Sequence, residues 1–304
     1  MEYTSSINVP NGQSSSSSTE MSKLYHNTKD GLSKTSGRKI IVVRHGERID
    51  FTFNPTHESW VRRAFDPDGN YKRFNINMPR TLPRRQDGFM NYLLDTPLTE
   101  MGYLQAKITG RALKDSGCKP TYVYASPAYR SIQTAVGIIK GLNMQDGKLL
   151  INIETALFEW GGWFRPKMPN WMMPDELFEH GYPINVDYQS LGSKQDISPM
   201  ETLADYYNRS FSITRKILER HQHEDCIIAL IAHGASLDTC TRQLTGGSPR
   251  NQQDFYAILH QTPYLALAAA REDYVTKAWK LCEPPIHPFQ HQGNASYDWT
   301  QLHQ

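Results

Sequence analysis

Residues 40–48 read Ile-Ile-Val-Val-Arg-His-Gly-Glu-Arg, a run of four β-branched side chains that ends abruptly in charge. β-Branched residues are stiff at χ1 and pack well on a pleated surface, so the run predicts a strand buried on both faces. Such strands belong to largely parallel sheets, and ligands of open α/β sheets bind beyond the carboxyl ends of the strands. The strand therefore delivers Arg44, His45 and Arg48 to the edge where such a sheet does its chemistry.

Residues 227–232 repeat the pattern and end in His233-Gly234. Further strands are expected at 122–125, 150–153, 264–270 and 275–281, the last two as a hairpin around Arg271-Glu-Asp. One helix is expected at 99–117, with Thr99 as N-cap, Leu104, Ile108 and Ala112 sharing a face, and Gly117 as the stop. A second runs from 126 to about 141, with Ser126 as N-cap, Pro127 at the first helical position and Arg130 in the first turn. A third covers 199–223 with Leu203, Tyr206, Ile213 and Ile217 on one face, and a fourth follows His233 through about Leu244, closed by Gly246-Gly247. Strands alternating with helices predict an α/β three-layer sandwich: a mostly parallel central sheet, right-handed crossovers and helices on both faces.

Residues 51–94, punctuated by Pro55, Pro79 and Pro83, read mostly as loop. Their interleaved Phe51, Phe53, Trp60, Phe65, Tyr71 and Phe74 suit part of a lid or pocket wall. The arginines of this stretch, Arg62, Arg63, Arg80, Arg84 and Arg85, read mainly as solvated surface charges.

Residues 1–36, with an unbroken serine run at 14–18, have too few large apolar side chains to order themselves and read as a disordered leader; residues 37–304 read as one domain. A net charge of +2 over 304 residues speaks against a nucleic-acid partner, so basic chemistry must be local. No apolar stretch approaches the ~20 residues that span a bilayer, and the first residues lack a basic segment followed by an apolar one, so a cytosolic location without membrane attachment is expected. The spacing of Cys118, Cys226, Cys240 and Cys282 suggests reduced thiols and neither a disulfide framework nor a zinc site; no metal or other cofactor is expected.

The polar residues at the predicted strand and helix ends form one constellation: Arg44, His45, Arg48, Arg130, Glu159 and His233. Guanidinium forks bind phosphate oxygens bidentately, and three of them at one point suit a dianion. Clustered cations would also keep His45 neutral and nucleophilic. A neutral imidazole attacking phosphorus in line gives a phosphohistidine that water then hydrolyses. Glu159, amid aromatic rings, suits the acid that protonates the leaving oxygen and later activates water, and His233 the group that steadies the phosphoryl oxygens. Glu47, Asp50 and Asp95 are weaker candidates for the acid. Trp160, Trp163, Phe164 and Trp171 suit an apolar wall for a bulky leaving group.

These residues carry a resemblance. Arg44-His45-Gly46 with a distant His233-Gly234, and Leu98-Thr99 followed by Gly102, Gln105 and Ala106, resemble the histidine phosphatase superfamily, specifically its phosphoglycerate-mutase-like branch. From about Arg38 to the tail the chain is most similar to the phosphatase domain of the ubiquitin-associated and SH3 domain-containing (Sts/TULA) group and the related insect ecdysteroid-phosphate phosphatases. The shared pattern includes Arg44-His-Gly-Glu-Arg48, Asn77-Met-Pro79, Leu82-Pro83, Ser126-Pro127, Arg130, Gln133-Thr-Ala135, Leu157-Phe-Glu-Trp160 and Pro263-Tyr-Leu265. Gly234 departs from it, since that group is expected to carry alanine there. The resemblance implies His45 as nucleophile, Arg44, Arg48, Arg130 and His233 as the phosphate pocket, and Glu159 as proton donor. It implies a metal-independent phosphomonoesterase for phosphotyrosine proteins or steroid phosphates, assembled as a homodimer. A phosphoglycerate-type mutase sharing the phosphohistidine, and a catalytically silent phosphate-binding scaffold module, are the competing readings.

Overall fold

The computed structural model describes residues 37–53, 59–143, 149–289 and 298–303. The leader expected over residues 1–36 lies outside them. Among the described residues, β1 (Lys39–Arg44), β2 (Tyr122–Ala125), β3 (Ile151–Ile153), β4 (Ile227–Ala232), β5 (Leu267–Glu272) and β6 (Trp279–Cys282) form one sheet in the order β3-β2-β4-β1-β5-β6. The first four neighbours pair in parallel; β5 and β6 run antiparallel as the expected hairpin.

The helices are α1 (Ile49–Phe53), α2 (Trp60–Ala64), α3 (Glu100–Asp115), α4 (Tyr129–Leu142), α5 (Pro174–Glu179), α6 (Leu203–Arg220), α7 (Ser236–Thr239) and α8 (Gln252–Gln261). The alternation of strand side chains makes two cores. Ile41, Val43, Val123, Ala125 and Ile231 pack with α3 and α4 on one face of the sheet. Ile40, Val42, Tyr124, Ile228 and Leu230 pack with Ile213 and Ile217 of α6, Leu237 of α7 and Ile258 of α8 on the other, where the C-terminal turn at Trp299–His303 adds Leu302. The fold is the α/β three-layer sandwich that the strand and helix pattern predicts.

Several elements differ from the sequence expectation, each for a local reason. On α3 the apolar residues Leu104 and Ile108 face solvent, 47% and 39% exposed, while Gly102, Ala106, Gly110 and Leu113 are buried. Backbone contact decides this: a Cβ on Gly110 would stand 2.1 Å from the Ile138 carbonyl oxygen, and one on Gly141 would stand 2.1 Å from that of Lys107. A face of small residues lets α3 and α4 approach this closely, and no hydrophobic stripe announces it.

α4 begins at Tyr129, two residues later than an N-cap at Ser126 predicts, because the Ser126 hydroxyl bonds a histidine side chain and the first helical N–H is capped from afar by Asp95 Oδ1 at 2.8 Å. α6 begins at Leu203, where Thr202 and Asp205 form a capping box. After His233 only the four residues of α7 are helical, with turns following to Gly246. α8 has no counterpart in the sequence reading, although Asn251 caps it through Asp254 N. Arg85 is a buried ion-pair residue and not a surface charge: it holds Asp95 at 2.9 Å and Asp87 at 2.9 Å.

Candidate active site

Parallel register assembles the site. Arg44 of β1 pairs with Ala232 of β4, and Ala125 of β2 pairs with Ile231, so His45, His233 and Ser126 all leave the same edge of the sheet. The His45 N–H still donates to the Ala232 carbonyl at 2.9 Å, and Ser126 N donates to the Ile231 carbonyl at 3.0 Å. Beyond β3, the short turn Thr155–Leu157 carries the chain to Glu159.

His45 is buried, and its Nδ1 lies 2.9 Å from the Gly46 carbonyl oxygen. A carbonyl only accepts, so Nδ1 bears the proton and the lone pair is on Nε2. Burial, joined by the charges of Arg130, Arg44, His233 and Arg48, holds the ring well below the usual histidine pKa and therefore neutral. The turn after it is fixed by Thr134 of α4, whose hydroxyl accepts from Gly46 N at 3.0 Å and donates to the Arg130 carbonyl at 2.8 Å.

His233 stands edge-on to His45, with ring centroids 5.6 Å apart. Its Nδ1 faces Arg130 Nη2 at 3.3 Å and its Nε2 faces Ser126 Oγ at 2.8 Å. Because the guanidinium only donates, Nδ1 accepts and Nε2–H donates to the serine. Burial and the neighbouring Arg130 keep this ring, too, well below its ordinary pKa.

The three arginines are held differently. Arg48 is clamped by Asp50 through Nε at 3.0 Å and Nη2 at 2.6 Å; burial works against its charge, but Asp50 outweighs it and raises the pKa. Arg44 stacks on Tyr264, 4.5 Å from the ring centroid, and donates to the Thr262 carbonyl. Arg130, fully buried on α4, donates to Glu159 Oε1. Among the described residues Arg44 Nε and Arg130 Nε and Nη1 have no hydrogen-bond partner. Burial lowers the pKa of both side chains. Buried cationic donors left without acceptors are costly, and an oxyanion that accepts from them relieves that cost.

Arg44, His45, Arg48 and Glu159 line a cleft of about 480 Å³, together with Phe51, Trp163, Phe164, Gly234, Leu259 and His260. The structure thus brings together all six polar residues singled out in the sequence: Arg130 reaches the cleft through Glu159, and His233 through its edge contact with His45. Two of the four wall candidates do not reach it. Trp160 packs against Phe255 and donates to the Glu201 carbonyl at 2.8 Å, and Trp171 packs on Phe158 at 4.7 Å between ring centroids. Phe51, Leu259 and His260 take their places. Glu159 is set against a guanidinium, not simply among rings as expected.

The competing carboxylates are engaged elsewhere. Glu47 Oε1 accepts from Thr99 Oγ1 at 2.7 Å and from Asn77 Nδ2 at 3.1 Å. Asp95 holds Arg85 and the start of α4. The sequence reading missed Ser126 and Tyr264 as members of the site, the latter 5.8 Å from the His45 ring. Ser126 carried a usable signal: it directly follows a strand, as His45 does.

Among the described residues no cluster of histidine, cysteine, aspartate and glutamate has the makings of a metal site, and no helix is long and apolar enough to cross a membrane.

Comparison with known proteins agrees with this geometry. Residues 83–281 match the family model of the histidine phosphatase superfamily, branch 1. Arg130, Glu159 and His233 fall inside that match, whereas the β1 end carrying Arg44, His45 and Arg48 precedes it. The chain is 37% identical over 272 residues to ecdysteroid-phosphate phosphatase of Drosophila melanogaster, covering 89% of this chain and 35% of that protein. It is 37% identical over 282 residues to ubiquitin-associated and SH3 domain-containing protein B of Mus musculus, covering 92% of this chain and 43% of that protein. The chain therefore spans less than half the length of these relatives. The crystal structure of an ecdysone phosphate phosphatase from the silkworm Bombyx mori, in complex with tungstate, superposes with a TM-score of 0.74 at 30% identity, covering 87% of this chain and 99% of that one. The chain belongs to the histidine phosphatase superfamily, branch 1.

Proposed function

We propose that the protein is a phosphomonoesterase that works through a phosphohistidine on His45. The observation that carries this reading is the pairing of a neutral, buried His45, its Nε2 lone pair free, with buried guanidinium nitrogens of Arg44 and Arg130 that lack acceptors. The monoester dianion takes those donors together with those of Arg48, and His233, its Nε2–H turned to Ser126, flanks the bound group. Nε2 attacks phosphorus as the ester P–O bond breaks. The dianion competes with Glu159 for Arg130, and Glu159, acting as general acid, gives a proton to the leaving oxygen. In the second half Glu159 takes a proton from water, which attacks the phosphohistidine and releases phosphate.

The cleft lining supports a bulky aromatic or apolar ester, either a phosphotyrosine protein or a steroid phosphate: Phe51, Trp163, Phe164 and Leu259 stand next to the phosphate donors. The name of the fruit-fly relative points the same way, and the tungstate in the silkworm structure supports an oxyanion as the group bound. The reading includes a cytosolic homodimer, for which the exposed row Met101, Leu104 and Ile108 on α3 offers an apolar face.

Purified protein assayed with p-nitrophenyl phosphate, with and without chelator, tests the central claim. Hydrolysis that persists in chelator and falls at least ~10³-fold in His45→Ala is the expected result. A parent without activity would sink the reading, and undiminished hydrolysis by His45→Ala would sink the nucleophile. Phosphotyrosine peptides, steroid phosphates and phosphoglycerate then separate the substrate classes, and transfer to a second hydroxyl in place of water would identify a mutase.

A further inference from the structure

We infer that Arg209, on α6 and outside the cleft, is the positioning residue that fixes the proton donor Glu159. The inference rests on the donor role proposed above. Residues 158–160 form an irregular link between two short 3-10 turns, and 156–159 are buried, so backbone carbonyls here need donors from elsewhere. One guanidinium supplies three of them: Arg209 Nη1 donates to the Ala156 carbonyl at 2.7 Å and to the Phe158 carbonyl at 2.8 Å, and Nη2 donates to that of Glu159 at 3.2 Å.

Glu201 orients that guanidinium in turn. Its Oε1 accepts from Arg209 Nε at 2.7 Å and its Oε2 from Nη2 at 3.0 Å, and both side chains are buried. The same carboxylate accepts from Gly161 N at 2.9 Å, and the Glu201 carbonyl accepts from Trp160 Nε1 at 2.8 Å. The chain is therefore gripped on both sides of Glu159, at the carbonyls of 158 and 159 and at the N–H of 161. A lysine retains the charge but lacks the planar fork that serves three carbonyls and a carboxylate at once.

The consequence is specific to one chemical step. A proton donor displaced by about an ångström fails where the leaving group needs the proton and matters little where it does not. The test compares kcat/KM for phenyl phosphate, whose leaving group has a pKa of ~10 as in tyrosine, with that for p-nitrophenyl phosphate, which leaves readily as the anion. Parent, Glu159→Gln, Arg209→Lys and Glu201→Gln are measured, the last serving if Arg209→Lys does not fold. The expected result is that Arg209→Lys and Glu201→Gln, like Glu159→Gln, lose at least tenfold more activity on phenyl phosphate than on p-nitrophenyl phosphate. A proportional loss on both substrates in the clamp variants, with Glu159→Gln still discriminating, would overturn the positioning role alone. A proportional loss in Glu159→Gln would overturn the donor role, and the clamp inference with it.

Discussion

Arg44 and Ala232 are register partners on adjacent parallel strands, and the residue after each is a histidine; the rings of His45 and His233 consequently meet edge to plane at 71°, 5.6 Å apart. Two imidazoles at that separation, beside three guanidinium groups, cannot both be charged without severe repulsion. Burial first, and the guanidinium charges next, hold each ring neutral, and strand pairing is what sets both rings in that field, as the proposed nucleophile requires.

The pH dependence follows from this. Both rings have pKa values well below 6.5 in the folded protein. The acid limb of kcat/KM attributable to His45 is expected well below pH 6.5, and imidazole ¹⁵N spectra should show both rings neutral at pH 6. The same shifts bear on stability. Below about pH 6.5 the unfolded chain binds two protons that the folded chain refuses, so stability is full above that pH and declines as pH falls toward the folded pKa values. Denaturant midpoints measured from pH 7.5 to 5 should fall, and His45→Gln should flatten part of that slope.

Ser126→Ala removes the acceptor of the His233 Nε2–H in a fully buried place. Losing one neutral hydrogen bond is worth about 1 kcal/mol, and an orphaned buried donor somewhat more. With His233 then free to turn, kcat for p-nitrophenyl phosphate is expected to fall about 5–30-fold, with phosphohistidine still trapped on acid-free quench. An unchanged kcat would mean that the serine does not orient the ring.

The sequence made the core of this arrangement legible because strand ends are marked twice over, by a continuous apolar run and by the abrupt polar residue that follows it. Arg44, His45 and His233 were found that way, and the parallel sheet with them. Ser126 was hidden by a competing rule, since serine before proline is also a good helix start. The buried face of α3 was hidden because Gly102, Ala106 and Gly110 pack by backbone approach, which hydrophobic periodicity does not record, while Leu104 and Ile108 displayed a stripe that faces outward. Wall residues were half right: Trp163 and Phe164 line the cleft, but nothing in the residue order tells a cleft-facing tryptophan from one that packs on Phe255 or Phe158.

Gly102→Ala tests the backbone approach directly. A Cβ at Gly102 would lie 2.6 Å from the Glu47 carbonyl oxygen and 2.7 Å from its nitrogen, and one at Gly46 would lie 2.7 Å from the Gly102 carbonyl oxygen. Neither neighbour is a flexible side-chain end, so the turn carrying His45 must shift. Overpacking of this kind costs about 1–3 kcal/mol, and a shift of His45, the proposed nucleophile, by a fraction of an ångström lowers kcat further. The variant is expected to unfold at lower denaturant and to lose at least tenfold in kcat. Leu104→Ala, on the exposed side of the same helix, should leave kcat unchanged.

Leaving-group preference separates the two kinds of tryptophan. Trp163 lines the cleft, 38% exposed, beside Phe164 and Leu259, whereas Trp171 is packed against Phe158. Trp163→Ala removes apolar area that a bulky ester covers, worth about 1–2 kcal/mol at roughly 25 cal/mol per Å², so KM for phosphotyrosine peptides or a steroid phosphate should rise about 5–30-fold. KM for a small ester such as glycerol phosphate should barely move, and the melting temperature should hold. Trp171→Ala should do the reverse, lowering the melting temperature while leaving the ratio of bulky to small substrate unchanged. If both variants shift the ratio alike, the preference is set by the whole aromatic loop and not by the side chains that face the cleft.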